Sequence, residues 1–461
     1  MNFKESSLEY EENKKSILNL PSFSLLLPVL NEESQIIGLL ENMCNLIYNG
    51  NVEILLLDDG SSDSTLEKAM NFQKKLPQDS NRKLKIIQKP NPNLPSKGKF
   101  ENLNRGLENS NGEIIGIFDA DARLEEDSLT KVAFEFSNST EHVVGIQIPW
   151  KHRNKDESWL TKVFVTGIDI HQQIMQKGRS EIGVMIPTYG SGEFWKKSAL
   201  QLVEGWNDVI TEDIELSYRI QLLDKKVKLI FSTYSNQLAP NTLSNFIQQQ
   251  ERWAAGFFQT FKRLGPKILT SEISKKGKLD SILLMLFYGL PAITYINFLL
   301  FCVLGLLYNY DPLLQREISF LVLTCVLLLG FGLVGSIFIQ GIIFYQKRND
   351  SIIKSLFWSI WLSLTGLVLA PFFFKAMING LIKKKLTFHR TPKNSSYNGS
   401  RISFSNFSLK TTSVFMIHIV FIVGMLIYTY SILPFIMFVS ISGYLFSLLL
   451  LNVIFIFISI F

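Results

Sequence analysis

Apolar and polar positions change their period twice along the chain. Between residues 22 and 121 four continuous apolar runs occur, "FSLLLPVLN", "VEILLLDD", "KLKIIQK" and "EIIGIFDAD". Short runs of this kind read as strands buried on both faces. Between them the spacing is helical: Ile36, Ile37, Leu40, Met43, Leu46 and Ile47 in one stretch, then a stretch from about Ser64 to Leu76, then one around Leu103 to Leu107. Alternation of strand and amphipathic helix predicts βαβ units, hence an α/β domain with a mostly parallel sheet covered by helices on both faces. In such sheets ligands bind at the carboxyl ends of the strands. Three of these strands run out into polar residues: Asn31-Glu32, Asp58-Asp59 and Asp119-Ala120-Asp121.

Further on the pattern becomes amphipathic and then apolar. In "NFIQQQERWAAGFFQTFKRL" apolar residues fall at Phe246, Trp253, Phe257, Phe261 and Leu264, the spacing of a helix lying along a membrane surface. "SILLMLFYGLPAITYINFLLFCVLGLLY" and "ISFLVLTCVLLLGFGLVGSIFIQGIIFY" follow, each longer than the roughly 20 residues a bilayer core requires. The tail adds "VFMIHIVFIVGMLIYTY" and "LPFIMFVSISGYLFSLLLLNVIFIFISIF". Basic residues sort these segments. "QKRNDSIIK" and the stretch 377–411, with Lys383, Lys384, Lys385, Arg390, Lys393, Arg401 and Lys410, belong inside, whereas "NYDPLLQRE" has no positive excess and belongs outside. Segment 353–376 then has cytosolic flanks on both sides, and is expected to be interfacial or re-entrant, broken at Pro371. Four crossings remain. The expected division is an N-terminal extension (1–20), a cytosolic α/β domain (21–240), an interfacial helical region (241–280) and an α-helical transmembrane region (281–461).

Composition adds only a little. Of 461 residues 47% are apolar, and the net charge is +6. With basic stretches beside the spans, that charge fits anionic lipid and no nucleic acid. Cys44, Cys302 and Cys325 have neither metal nor redox spacing, and read as reduced packing residues. The first twenty residues, "MNFKESSLEYEENKKSILNL", are charged and lack an apolar core. The α/β half is therefore expected on the cytosolic side of an inner or plasma membrane of bacterial type.

Four polar constellations carry the candidate chemistry. Asp119 and Asp121 leave a strand two residues apart, so their carboxylates share a side and suit Mg²⁺ or Mn²⁺ that keeps positions open for phosphate oxygens; an acidic turn would look the same. Asp58, Asp59 and Gly60 lie where a strand becomes a turn, ready to accept hydrogen bonds from a nucleoside, or simply to build a loop in which Ser62 or Asp63 caps the next helix. Lys99 stands just ahead of a helix, a contact for a diphosphate or a solvated lysine. "VITEDIELSYRI" packs Glu212, Asp213 and Glu215 into the start of a helix that Thr211 can cap. On the amphipathic helix Gln249, Arg252 and Trp253 share one face: a guanidinium for phosphate and an indole for a sugar ring, or a merely wet face.

Asp-Asp-Gly, D-x-D, T-E-D and then Q-x-x-R-W before membrane spans, in this order, resembles family 2 glycosyltransferases, closest to the membrane-embedded processive branch of cellulose, mannan and hyaluronan synthases. "GIQIPW", "YGSGEFWKKSAL" and the stretch from Lys99 to Asn104 agree with the family's secondary motifs, and "FHRTPK" resembles the gating loop of cellulose synthases, with Arg390 where that loop has valine. The resemblance covers roughly residues 22–400 and implies a GT-A-like fold. It implies Asp213 as catalytic base, with Glu212 as the residue to weigh against it. It implies donor contacts from Asp58, Asp59, Lys99, Asp119 and Arg252, and acceptor contacts from Glu212, Gln249, Trp253 and Gly192. Asp119 and Asp121 would hold Mg²⁺ or Mn²⁺, and Phe388, Thr391 and Lys393 would gate.

The reaction implied is inverting transfer from a UDP- or GDP-sugar to a growing polysaccharide passed between the spans, with an export partner left unidentified. Two rivals stay open: one sugar moved to a lipid, and a non-catalytic nucleotide-sugar-binding membrane protein.

Overall fold

The computed structural model describes residues 20–77, 82–91, 94–293, 295–296 and 351–383. Residues 1–19 of the N-terminal extension, three of the four expected crossings and the gating residues Phe388, Thr391 and Lys393 lie outside the described residues; of the first crossing, residues 281–293 and 295–296 are described.

The four apolar runs form β1 (Phe23–Val29), β2 (Val52–Asp58), β3 (Arg82–Gln88) and β4 (Ile114–Ile117). They pair in parallel in the order β3-β2-β1-β4. Side chains alternate across a strand, so β1 feeds two cores. Phe23, Leu25, Leu27 and Val29 pack with Ile36, Leu39, Leu40 and Met43 of α1 (Ile36–Cys44) on one face. Leu26 packs on the other with Leu103 and Leu107 of α2 (Lys99–Asn109). A helix over Thr65–Lys75 covers β2 and β3 from the first face. Cys44 is a free thiol packed beside that core.

Past β4 the sheet departs from simple βαβ repetition. β5 (Glu193–Lys196) enters antiparallel to β4, and β6 (Val143–Gln147) pairs antiparallel with it in turn. A strand over Lys226–Leu229 closes the seven-stranded sheet in parallel with β6. A second, three-stranded sheet that the apolar pattern did not announce joins Arg123–Leu124, Ser235–Gln237 and Trp150–His152. Its strands have two or three residues each, too few for a periodic signal.

Two long helices frame the carboxyl edge. α3 (Leu243–Thr270) contains the Q-x-x-R-W residues and continues through Pro266. α4 (Ile352–Ile382) contains the expected interfacial segment. Among the described residues no single helix is long and apolar enough to cross a membrane; the two halves of α4, bent by 44° between Gly366 and Val368, pass that test only together. The expected break was at Pro371, and the bend falls four residues earlier, at the position whose carbonyl the proline ring crowds. The second half of α4 runs along α3, with Val368, Leu369, Phe372, Phe373 and Ala376 packed against Leu243, Phe246, Ala254 and Ala255. At Gly380 an added Cβ would fall 2.4 Å from the Ala255 carbonyl, so the two backbones cross almost in contact. α3 is thus covered on two sides where the amphipathic pattern gave it one, because small residues from Ala254 to Gly256 let neighbours close in.

Candidate active site

The acids of "TEDIE" divide into two roles. They start α5 (Glu212–Gln221), and all three are buried. Glu215 faces the protein: Arg219 at 3.1 Å, Arg263 of α3 at 3.0 Å and the Asn207 amide surround it. It fastens α5 to α3. Glu212 and Asp213 face the sheet's carboxyl edge. The expected side-chain cap from Thr211 does not form; its hydroxyl lies 3.4 Å from that of Thr260 instead. Gly256 explains this, since a Cβ there would strike the Thr211 methyl group at 2.4 Å. The approach of α3 has taken the threonine for packing.

Lys99 ties the edge together. It is the first residue of α2 rather than ahead of it, since the helix begins earlier than its apolar residues signal. Its ammonium donates to Asp119 Oδ1 at 2.8 Å and to the Gly190 carbonyl at 2.5 Å, and stands 3.8 Å from Glu212 Oε1. Burial works against that charge, yet Asp119, Glu212 and Asp213 outweigh it and raise the lysine above its ordinary value. For Glu212 and Asp213 burial dominates and raises both; Glu212 and Glu193 lift Asp213 further, well above the carboxylate range. Arg252 reaches the same acids from α3, with Glu212, Asp119 and Asp213 opposing the lowering that burial imposes on it.

The remaining candidates fall around this centre. Asp121 is buried, and its Oδ2 accepts the Leu238 amide at 2.8 Å. Asp58 turns its carboxylate on its own loop, accepting from the Gly60 and Ser61 amides. Asp59 accepts the Ser96 hydroxyl and lies 3.7 Å from the Lys89 ammonium; burial raises it. Capping of the next helix falls to Asp63, whose Oδ1 accepts the Thr65 amide at 3.0 Å. Gln249 is buried with no hydrogen-bond partner on Oε1 among the described residues. Trp253 packs against Trp150 at 6.4 Å and Phe164 at 6.3 Å between ring centroids.

Gly192 immediately precedes β5, its amide donating to the Ile117 carbonyl and its carbonyl accepting from the Ile148 amide.

Sequence reasoning passed over the hub that organises these groups. Residues Tyr189–Gly192 form a tight loop in which Gly190 and Gly192 have φ of +74° and +69°. Gln147, fully buried at the end of β6, holds it with three bonds: Nε2 to the Ser191 and Gly192 carbonyls and Oε1 from the Tyr189 amide, with Nε2 also near the Ile148 carbonyl. Ser191 Oγ accepts the Asp119 amide, and the Trp150 indole donates to the Ser191 carbonyl. The helix over Trp159–Ile170 passes into a π-helical turn, His171–Gln176, that aims Gln172 at the Trp150 amide. Such turns are rare and cluster at functional sites. The signal was present in "GIQIPW" and "YGSGEFW", but neither quotation says which residue bonds to which.

An α/β sheet with a basic residue bridging buried carboxylates at its strand ends, closed by a helix bearing Gln, Arg and Trp, defines a group-transfer site of the GT-A type. The chain belongs to the glycosyl transferase family group 2, whose family model matches residues 114–460; the glycosyl transferase family 2 model matches residues 24–194. It is 31% identical over 277 residues to the beta-monoglucosyldiacylglycerol synthase of Trichormus variabilis, covering 59% of this chain and 57% of that one. It is 27% identical over 286 residues to the poly-beta-1,6-N-acetyl-D-glucosamine synthase of Staphylococcus epidermidis, covering 62% and 64%. The chain therefore spans somewhat over half the length of these curated relatives. In fold it is similar to the mannosyltransferase PcManGT from Pyrobaculum calidifontis, solved in complex with GDP-Man and Mn2+, at a TM-score of 0.50 and 15% identity over 83% of this chain and 96% of that one.

Proposed function

We propose that this chain transfers a sugar from a nucleotide-diphosphate sugar to an acceptor hydroxyl at a membrane face, with inversion at the anomeric carbon and Asp213 as base. The carrying observation is the convergence of Asp119, Glu212 and Asp213 on Lys99 and Arg252. An alcohol is a weak nucleophile, so a carboxylate within reach must take its proton as the new bond forms. Asp213 suits this because burial and its acidic neighbours raise its proton affinity. Glu212 is closer to Lys99 and serves better as its counter-ion. Lys99 and Arg252 stand where negative charge develops on the departing diphosphate. Asp59 offers a carboxylate to the nucleoside, and Gln249 a buried acceptor atom to a sugar hydroxyl.

No three His, Cys, Asp or Glu side chains converge as a metal cage among the described residues. Asp119 and Asp121 still fit a divalent ion, because Mg²⁺ and Mn²⁺ in phosphate chemistry take one or two carboxylates and fill their shell with phosphate oxygens and water. Bound there, the ion would neutralise charge on the leaving diphosphate.

A growing glycan is the acceptor that the Q-x-x-R-W helix and the apolar C-terminal runs suggest, coupled to passage across the membrane. A single transfer to a lipid is the second reading. It is favoured by the similarity to a beta-monoglucosyldiacylglycerol synthase and by the apolar cluster of Phe164, Phe246 and Phe372 behind Trp253. The test is purified protein in lipid with a panel of UDP- and GDP-sugars and Mg²⁺ or Mn²⁺, measuring nucleotide release and then product size. Release abolished by Asp213→Asn supports the base; undiminished release in that variant refutes it. A polymer selects the first acceptor and a monoglycosylated lipid the second.

A further inference from the structure

Glu193 takes no part in the reaction as set out above, yet it lies beside its base. It is the first residue of β5 and fully buried. Ile117 pairs with it on one side and Gln147 on the other, so its backbone is fixed in the middle of the sheet. A carboxyl group in such a place opposes folding, and an apolar residue would suit the strand better. Its surroundings point to Asp213. Neither oxygen of its carboxyl has a hydrogen-bond partner among the described residues, and the Thr188 hydroxyl nearby donates instead to the Asp213 backbone carbonyl at 3.2 Å. Asp213 Oδ2 sits against Gly190, three residues before Glu193 on the same loop. The charged groups facing Asp213 are Glu212 beside it, Glu193 from β5, Lys99 from α2 and Arg252 from α3, with Asp119 beyond Lys99. Those facing Glu193 are Lys99 and Glu212.

We propose that Glu193 is a positioning residue acting through Asp213: by its own charge state it sets how strongly the base holds the proton of the acceptor hydroxyl. This rests on Asp213 being the base. Burial lifts Glu193 to about 7, with Thr188 and Lys99 opposing and Glu212 adding. Both of its forms are therefore accessible near neutral pH. Ionised, it strengthens Asp213 as a base; protonated, it weakens it. Glu193 exchanges nothing with the substrate. The acceptor O–H bond breaks toward Asp213 as the glycosidic bond forms and the bond from the anomeric carbon to phosphate breaks, and Asp213 then releases the proton to water.

The test is the pH profile of nucleotide release for Glu193→Gln, which preserves shape and removes the charge. The acid limb of kcat is expected to move at least half a unit to lower pH, about a threefold change in proton affinity. Plateau kcat should fall severalfold, because the base is weaker, while donor KM stays the same. Thermal stability supplies a second readout. A carboxyl whose folded value is raised binds more protons folded than unfolded, so wild-type Tm should fall, relative to the variant, as pH rises from about 4.5 to about 7. Glu193→Asp retains the charge and should retain the wild-type limb. Should Glu193→Gln fail to fold, Glu193→Met decides: it removes the charge without leaving a buried polar group unpaired, and should move the limb in the same direction. An unmoved limb in an active Glu193→Gln, or a change confined to KM, overturns the proposal, provided Asp213→Asn is inactive. Activity in Asp213→Asn overturns the base assignment itself.

Discussion

Gly190 is where the loop, the base and the lysine meet, and replacing it with alanine tests that geometry. Its φ of +74° is in the left-handed region, which costs a residue with a Cβ roughly 1–2 kcal/mol. That Cβ would stand 3.0 Å from Asp213 Oδ2 and 3.5 Å from Lys99 Nζ. The loop cannot simply retreat, because the Gly190 carbonyl accepts from Lys99 and Gln147 anchors the residues on either side. The Asp213 carboxylate must give by a few tenths of an ångström. A misplacement of about 1 Å costs on the order of 100-fold in rate, so this smaller one should cost about three- to tenfold in kcat. The backbone strain should lower Tm by about 2–8 °C, taking about 2–4 °C per kcal/mol for a domain of this size. Gly178→Ala is the control: it is helical with nothing within 4 Å of the added Cβ, and should be neutral or stabilising by about 0.5–1 kcal/mol. The assay is turnover per folded molecule, from nucleotide release, beside a thermal melt in detergent or lipid. If Gly190→Ala matches the control in both, Gly190 does not hold Asp213 and the site is wrongly drawn.

Two further substitutions separate loop support from scaffold. Gln147→Leu leaves the Tyr189 amide without its partner in a buried loop, which costs about 1–3 kcal/mol, and turnover per folded molecule should fall at least tenfold as the hub loosens; full turnover at reduced Tm would leave the hub without function. Glu215→Ala leaves Arg219 and Arg263 facing an empty buried position. Breaking a buried pair costs about 3–5 kcal/mol, and Arg263 is half-exposed, so about 2–4 kcal/mol is expected, read by chemical denaturation, with activity per folded molecule retained. Activity lost without destabilisation would place Glu215 with Glu212 and Asp213 and not in the scaffold.

The parallel half of the fold was legible because its signals are local. Apart from Ser24, Glu53 and the terminal Asp58, the residues of β1 and β2 are apolar for the cores they meet, and α1 repeats on the helical period, so period alone fixes both. β5 was not legible as antiparallel: "EFWK" looks the same in either direction, and only the pairing of Ile117 with Glu193 decides. The acids were legible as a group because they stand close together in sequence, yet their division was not. Glu215 differs from Asp213 in meeting Arg219, Asn207 and Arg263, the last of which comes from a helix much further along the chain. Thr211 shows the same limit from the other side. Its cap was a sound local inference, and the close approach at Gly256 displaced it. The loop of Gly190 and Ser191 was hidden for a related reason: its role is in backbone carbonyls, and every residue type has one.

What joins the site to α4 is α3, whose fixity follows from three contacts of different kinds. Gly256 admits Thr211 at one side, Arg263 pairs with Glu215 further along, and Gly380 of α4 lies almost on the Ala255 carbonyl at the other side. Glycines at the first and last of these points let the neighbours close in, and such close packing transmits displacement because there is little side chain to absorb it. Arg252 and Trp253 sit within one turn of Ala255, so a shift of α4 along α3 must move the guanidinium that faces Glu212 and the indole that meets Trp150. The bend in α4 falls next to Val368 and Leu369, the first residues of that packing, which makes it the place where such a shift would be taken up.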